Sequence, residues 1–142
     1  MAKTETRNIG IVVEAPKQIC NDANCPFHGA LSLRGRRFTG TVVSTKMRKT
    51  AVIEFESLYF LKKYERYGKR RTKLKVHNPE CVDVKDGDIV GVAECRPLSK
   101  TKTFVIIQKF GKEKRFKGKM EAREAAKIEK PKKEEKEAEE EK

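Results

Sequence analysis

Residues 37–61 read RFTGTVVSTKMRKTAVIEFESLYFL, and this stretch decides the fold. Arg37 to Thr45 is rich in β-branched residues, which suit an extended, half-buried chain. Lys46-Met47-Arg48-Lys49 interrupts it as a turn, and Thr50 to Leu61 returns as a strand. In the returning strand Ala51, Ile53 and Phe55 share one face, while Val52, Glu54 and Glu56 share the other. That period of two marks a strand with one side in the core. Toward the C-terminus three more extended segments follow, Lys73 to His77, Ile89 to Cys95 and Thr103 to Phe110. Asn78-Pro79 and Lys85-Asp86-Gly87-Asp88 are turn signals between them. Nothing between residues 37 and 110 keeps a helical period. Five short strands predict an all-β, five-stranded Greek-key barrel of the OB type, whose closure removes exposed sheet edges. An SH3-like barrel fits the same strand count.

On either side of this barrel (37–110) the composition changes. Residues 1–36 read as an extension, with a short strand expected over Asn8 to Val13 and a loop from Cys20 to Gly29. Residues 111–142 hold 12 basic and 10 acidic residues, with Phe116, Met120 and Ile128 as the only large apolar ones. So little apolar surface does not offset chain entropy, so a charged, largely disordered tail is expected. Met120 to Lys130 has the Ala, Glu and Lys content of a helix that forms when docked.

The charge points to a partner. The 142 residues carry 34 Lys+Arg against 21 Asp+Glu, a net charge of +13, and most of the excess lies before residue 111. The densest cluster is Lys62 to Lys75, KKYERYGKRRTKLK, with eight basic residues, one acid and two tyrosines. Like charges packed this closely repel unless a polyanion neutralises them, and phosphate binding also releases counterions. Tyr64 and Tyr67 are able to stack on exposed bases. Arg34, Arg36 and Arg37 flank Gly35, a residue that permits close approach to a phosphate backbone. A membrane span requires about 20 apolar residues in a row, and the chain has no such run. No basic-then-apolar leader opens the sequence, so a cytoplasmic protein is expected.

Cys20, Cys25 and His28 form a C-x4-C-x2-H pattern. Zinc takes four Cys or His ligands in a tetrahedron, so a fourth must come from elsewhere. Cys81 beside Asn78-Pro79 is the leading candidate and His77 the other; Cys95, in a strand, reads as a small buried hydrophobe. The paired two-residue cysteine spacing usual for zinc is absent, so two readings stand: unbound thiols in a loop, or one structural zinc joining the N-terminal loop to the barrel. An enzyme is not expected. There are two histidines, no Gly-rich phosphate loop and no nucleophile elbow.

At Gly87 to Ser99 the sequence reads GDIVGVAECRPLS. Gly87-Asp88, the alternating aliphatics, Glu94 and Arg96-Pro97-Leu98-Ser99 resemble the signature of the universal S-seventeen family of small-subunit ribosomal proteins. Gly40 to Val43, Lys46-Met47 with Lys49-Thr50, Lys73 to His77 and Lys100-Thr101-Lys102 resemble it too, over roughly residues 34 to 110. Cys25-Pro26-Phe27 and Cys95 to Thr101 are similar to the archaeal and eukaryotic branch, and the short N-terminal extension favours the archaeal type. The resemblance implies an OB barrel that binds the 5′ and central regions of small-subunit ribosomal RNA early in assembly. It implies neighbouring ribosomal proteins as partners, no membrane, no small-molecule substrate and no catalysis. The tail beyond residue 111 departs from the family pattern.

The expected mechanism is a clamp in which three loops and one arginine segment hold separate RNA segments. The contacts expected are Arg34, Arg36 and Arg37; Lys46, Arg48 and Lys49; Lys62, Lys63, Arg66, Lys69, Arg70, Arg71 and Lys73; and Arg96, Ser99, Lys100 and Lys102. Pro97 stiffens the last loop and so limits the entropy lost on binding. The competing reading is a free OB-fold single-strand RNA or DNA binder or chaperone, which would stack bases across the barrel face. A protein-interaction module using the charged tail is a third.

Overall fold

The structure is a computed structural model and describes residues 6–16 and 18–128. Five strands form it: β1 (Leu33–Met47), β2 (Thr50–Leu61), β3 (Arg66–His77), β4 (Asp88–Ser99) and β5 (Lys102–Lys112). They close into a barrel in the order β1-β2-β3-β5-β4. β1 pairs antiparallel with β2 and β4, β2 with β3, and β4 with β5, whereas β3 and β5 run parallel at Val76–Phe104 and His77–Val105. This is the all-β, OB-type class that the alternation in β2 predicts.

Inward positions fill the barrel. Val42, Ala51, Ile53, Val76, Val84, Val90, Val92 and Ile106 form one buried cluster, with Phe38, Leu74 and Phe104 packed against it. Phe38 stacks on Phe55 with centroids 4.9 Å apart. The β1–β2 register shifts after Val42, and the β4–β5 register shifts at Gly91. Such irregularities bend strands enough to close a small barrel.

The strands are longer than their sequence signals. β1 begins at Leu33, so Arg34 and Arg36 lie on the strand with Arg37 rather than before it. Gly35 makes that possible: its φ is +74°, and a Cβ there would sit 2.6 Å from Glu94 Oε2. The same Glu94 oxygen accepts the Arg36 N–H at 3.0 Å. β3 begins at Arg66, so most of the segment expected as the 62–73 loop is strand. Only residues 62–65 connect β2 to β3, a single 3₁₀ turn over Lys62–Tyr64 followed by Glu65 in the left-handed conformation. Residues 8–13 form no strand, although Ile9 and Val13 pack against a second buried cluster around Cys25, Phe27 and Cys81.

The segment from Glu113 is a separate unit. It contains the helix α1 (Phe116–Ile128), which starts one turn before the expected Met120. A Lys119–Glu113 ion pair and the Lys119 N–H to Arg115 carbonyl bond set its first turn. The rest of the expected disordered tail, residues 129–142, lies outside the described residues.

Candidate nucleic-acid interface and metal cluster

The densest basic candidates lie on β3 and on the turn that joins it to β2. The β2–β3 pairing runs unbroken from Thr50–His77 to Leu61–Arg66. β1 reaches β2 only as far as Glu54, and β5 reaches β3 only from Lys75 to His77. Beyond Phe55 and Thr72 the two strands therefore continue as a two-stranded arm. Six residues of strand extend roughly 20 Å. Within this arm Ser57 to Leu61 and Arg66, Tyr67, Lys69, Arg70 and Arg71 are exposed on both faces.

Lys62, Lys63, Arg66, Lys69, Arg70, Arg71 and Lys73 thus all belong to the arm or its base, and all are exposed. Arg71 approaches Glu56 at 3.9 Å, the outer limit of an ion pair. Aromatic groups lie among the cations. Phe60 and Tyr67 have centroids 5.2 Å apart, Tyr59 covers Gly68, and the Lys63 ammonium lies 5.3 Å from the Tyr64 ring centroid. Tyr64 and Tyr67 face solvent, so they are available for stacking; a tyrosine turned to the core is not what the structure shows. Leu58, Tyr59 and Phe60 are exposed as well. Tyr59 and Phe60 are neighbours, so an alternating strand is expected to turn at least one of them outward; here both are exposed.

The other expected contacts differ among themselves. Lys46 and Arg48 are exposed at the β1–β2 turn. Lys49, in the same turn with φ +50°, is instead engaged with carboxylates, 3.0 Å from Glu80 and 3.9 Å from Asp22. The bond to Glu80, reinforced by the Asp22 charge, makes it more basic than an ordinary lysine. Arg96 is exposed and donates to Asn24 Oδ1 at 3.1 Å. Ser99 Oγ caps the β4–β5 turn by accepting the Lys102 N–H at 3.2 Å, beside an exposed Lys100. Lys102 is half-buried, and its ammonium donates to Thr50 Oγ1 at 3.2 Å.

The metal cluster lies where the N-terminal loop meets the β3–β4 connection. Cys20, Cys25, His28 and Cys81 bring their ligand atoms within 4.8 Å of one another. His28 Nδ1 is 3.4 Å from Cys20 Sγ and 3.7 Å from Cys25 Sγ, and Cys25 Sγ is 3.6 Å from Cys81 Sγ. A zinc ion with bonds of about 2.0–2.3 Å places its tetrahedral ligands about 3.5–3.8 Å apart. A disulfide requires about 2.05 Å between sulfurs, so Cys25 and Cys81 are thiols. Cys25 is held well below the usual thiol range, chiefly because Cys81 hydrogen-bonds to it; the same contact and burial push Cys81 up. A readily ionised sulfur among soft donors suits a thiophilic cation. His77, the other expected fourth ligand, is turned away and bonds Asp22 Oδ2 at 2.8 Å. Cys95 is buried with Leu31 and Val105, outside the cluster, and burial raises its pKa.

Local backbone chemistry forms this loop. Asp22 Oδ1 accepts the Asn24 N–H, and the Cys25 carbonyl accepts the Gly29 N–H at 3.0 Å. Gly29 passes so close to the loop that a Cβ would sit 2.5 Å from the Ala23 carbonyl oxygen. The loop also makes four contacts that spacing did not disclose: Asp22 with His77 and with Lys49, Asn24 with Arg96, and the Phe27 carbonyl with the Arg7 N–H at 2.9 Å.

Comparison with known proteins gives consistent matches. A family model described as Ribosomal protein S17 matches residues 40–108. The small ribosomal subunit protein uS17 of Methanocaldococcus jannaschii is 55% identical over 112 residues, which cover 79% of this chain and 96% of that protein. The protein of the same name from Methanococcus vannielii is 56% identical over 102 residues, 72% of this chain and 94% of that one. That from Archaeoglobus fulgidus is 53% identical over 107 residues, 75% of this chain and 96% of that one.

Proposed function

The chain belongs to the ribosomal protein S17 family, of the archaeal type, and on that premise we propose that it is a structural constituent of the small ribosomal subunit that binds small-subunit ribosomal RNA. The family is structural rather than catalytic, and the chain is not an enzyme. The arm carries the RNA reading. It holds strongly basic side chains and four rings away from the barrel, where a hairpin alone gains little from exposed aromatics. A folded RNA supplies both partners, phosphates for the cations and bases for the rings. The arginines of β1, the Lys46–Arg48 turn and Arg96 with Lys100 provide further phosphate contacts, so separate RNA segments are held at once. Neighbouring ribosomal proteins and a cytoplasmic location follow from that assembly.

The test is a binding comparison at moderate salt between a small-subunit ribosomal RNA transcript and poly-U. Preference for the structured transcript is expected. Equal or tighter binding to poly-U would favour a free single-strand binder, since stacking on rings tolerates any unpaired base.

Cys20, Cys25, His28 and Cys81 hold one structural zinc in this reading. Four protein ligands leave no open position, so the ion would cross-link chain rather than activate water. Metal analysis of the purified chain is expected to give one zinc per chain; a folded, metal-free protein would remove the site.

A further inference from the structure

We propose that the metal loop is a positioning element for the RNA interface, so that zinc and ribosomal RNA bind the chain cooperatively. The proposal rests on both readings above and adds their coupling. Asp22 and Asn24 lie between the ligands Cys20 and Cys25, and each extends a side chain to a basic residue of another element. Asp22 holds Lys49 of the β1–β2 turn and His77 at the end of β3; Asn24 holds the Arg96 guanidinium on β4. Lys49 also joins Glu80, the neighbour of the fourth ligand, so the turn is tied to both halves of the cluster. On the other side the Phe27 carbonyl accepts the Arg7 N–H, and Ile9, Gly10 and Ile11 then line one cavity together with Arg34, Gly35 and Arg37 of β1. Two of the basic segments expected on RNA thus meet one short loop, and a third borders a cavity with the N-terminal segment that the loop anchors. The arm does not touch it.

That loop has no strand or helix of its own. Holding it in one geometry without a cross-link loses the backbone entropy of about ten residues. Zinc removes that freedom through four bonds. RNA then meets an Arg96, a β1–β2 turn and an N-terminal segment already in place, and less ordering remains to offset. Linkage makes the effect mutual: the factor by which zinc tightens RNA binding is the factor by which RNA tightens zinc binding.

The experiment uses the full chain, with metal content fixed by mass spectrometry, and a small-subunit ribosomal RNA transcript. Stripping zinc with a chelator is expected to weaken RNA binding about tenfold, within the usual range of coupling between sites. Adding zinc back is expected to restore it, and zinc competition against a chromogenic chelator is expected to show the same factor with RNA present. Because stripped protein loses a cross-link, a second arm keeps the metal. The double variant Asp22→Asn with Asn24→Ala retains all four ligands and is expected to bind one zinc yet weaken RNA binding severalfold. Zinc bound, with RNA affinity unchanged by stripping and by the double variant, would overturn the coupling and leave both readings standing. A chain that takes up no zinc but binds the transcript would overturn the metal reading and the coupling together. A zinc-loaded chain that ignores the transcript would overturn the RNA reading and the coupling.

Discussion

The two halves of β2 contrast sharply. From Thr50 to Phe55 the strand is barrel wall, and Ala51 and Ile53 are fully buried while Val52 and Glu54 are half-buried. From Glu56 to Leu61 the same strand is arm, with one partner strand and every residue exposed. β3 repeats the contrast in reverse, exposed at Arg66 and Tyr67 and buried at Val76 and His77. Hydrophobic burial selects the side chains of the wall. In the arm no burial offsets the charges or the rings. On the proposed function, the body is built for stability and the arm for RNA.

Substitutions should separate the halves. The largest effect on folding is expected in the wall: Ile106→Ala removes a fully buried side chain and should lower the unfolding free energy in urea by about 3–4 kcal/mol. Asp88→Asn comes next. Burial alone would raise the Asp88 carboxyl, but the Lys109 ammonium at 2.6 Å and the Lys85 N–H at 2.8 Å outweigh it and hold the carboxyl below its ordinary range. A lowered folded-state pKa stabilises the protein above the ordinary carboxylate value, about 4, and that contribution is lost as pH falls through the folded-state value. The variant should therefore be about 2 kcal/mol less stable at neutral pH, and urea titrations at descending pH should show the gap narrowing below about pH 4. In the arm, Phe60→Ala breaks the Phe60–Tyr67 pair and should cost about 1 kcal/mol or less; thermal melting would read it. The smallest change in stability belongs to Lys69→Ala with Arg70→Ala, within about 0.5 kcal/mol. The same variant should flatten the dependence of RNA affinity on log salt by about one unit per lost phosphate contact. A large loss of stability there would erase the contrast between wall and arm.

Much of the barrel is legible in sequence because period-two burial is a local signal, and Ala51-Val52-Ile53 carries it plainly. The arm is legible as charge but not as strand. Lys69-Arg70-Arg71 has no apolar alternation, since both faces are wet, and its extended form comes from hydrogen bonds to Ser57 and its neighbours across the hairpin. The β3–β5 closure is a parallel pairing between distant segments, which no local pattern encodes. In the cluster, the residue types and the spacing of Cys20, Cys25 and His28 are informative, and the turn around Asn78-Pro79 directs attention to Cys81. The clasps made by Asp22 and Asn24 are not, because a short polar residue in a loop looks the same whether it holds an arginine or faces water. Lys49 shows the reverse: it reads as a free cation and is engaged with two carboxylates.

One consequence follows from how far apart in the chain the joined pieces lie. Cys25 waits for Cys81, 56 positions later, and β3 waits for the strand that starts at Lys102. During synthesis, which runs from the N-terminus, the cluster is unable to close until Cys81 has left the exit tunnel and the barrel until β5 has, whereas the β2–β3 hairpin, a local contact, is able to form well before the barrel closes. The nascent polypeptide therefore displays its cationic finger to the crowded interior of the cell before it has a folded body behind it.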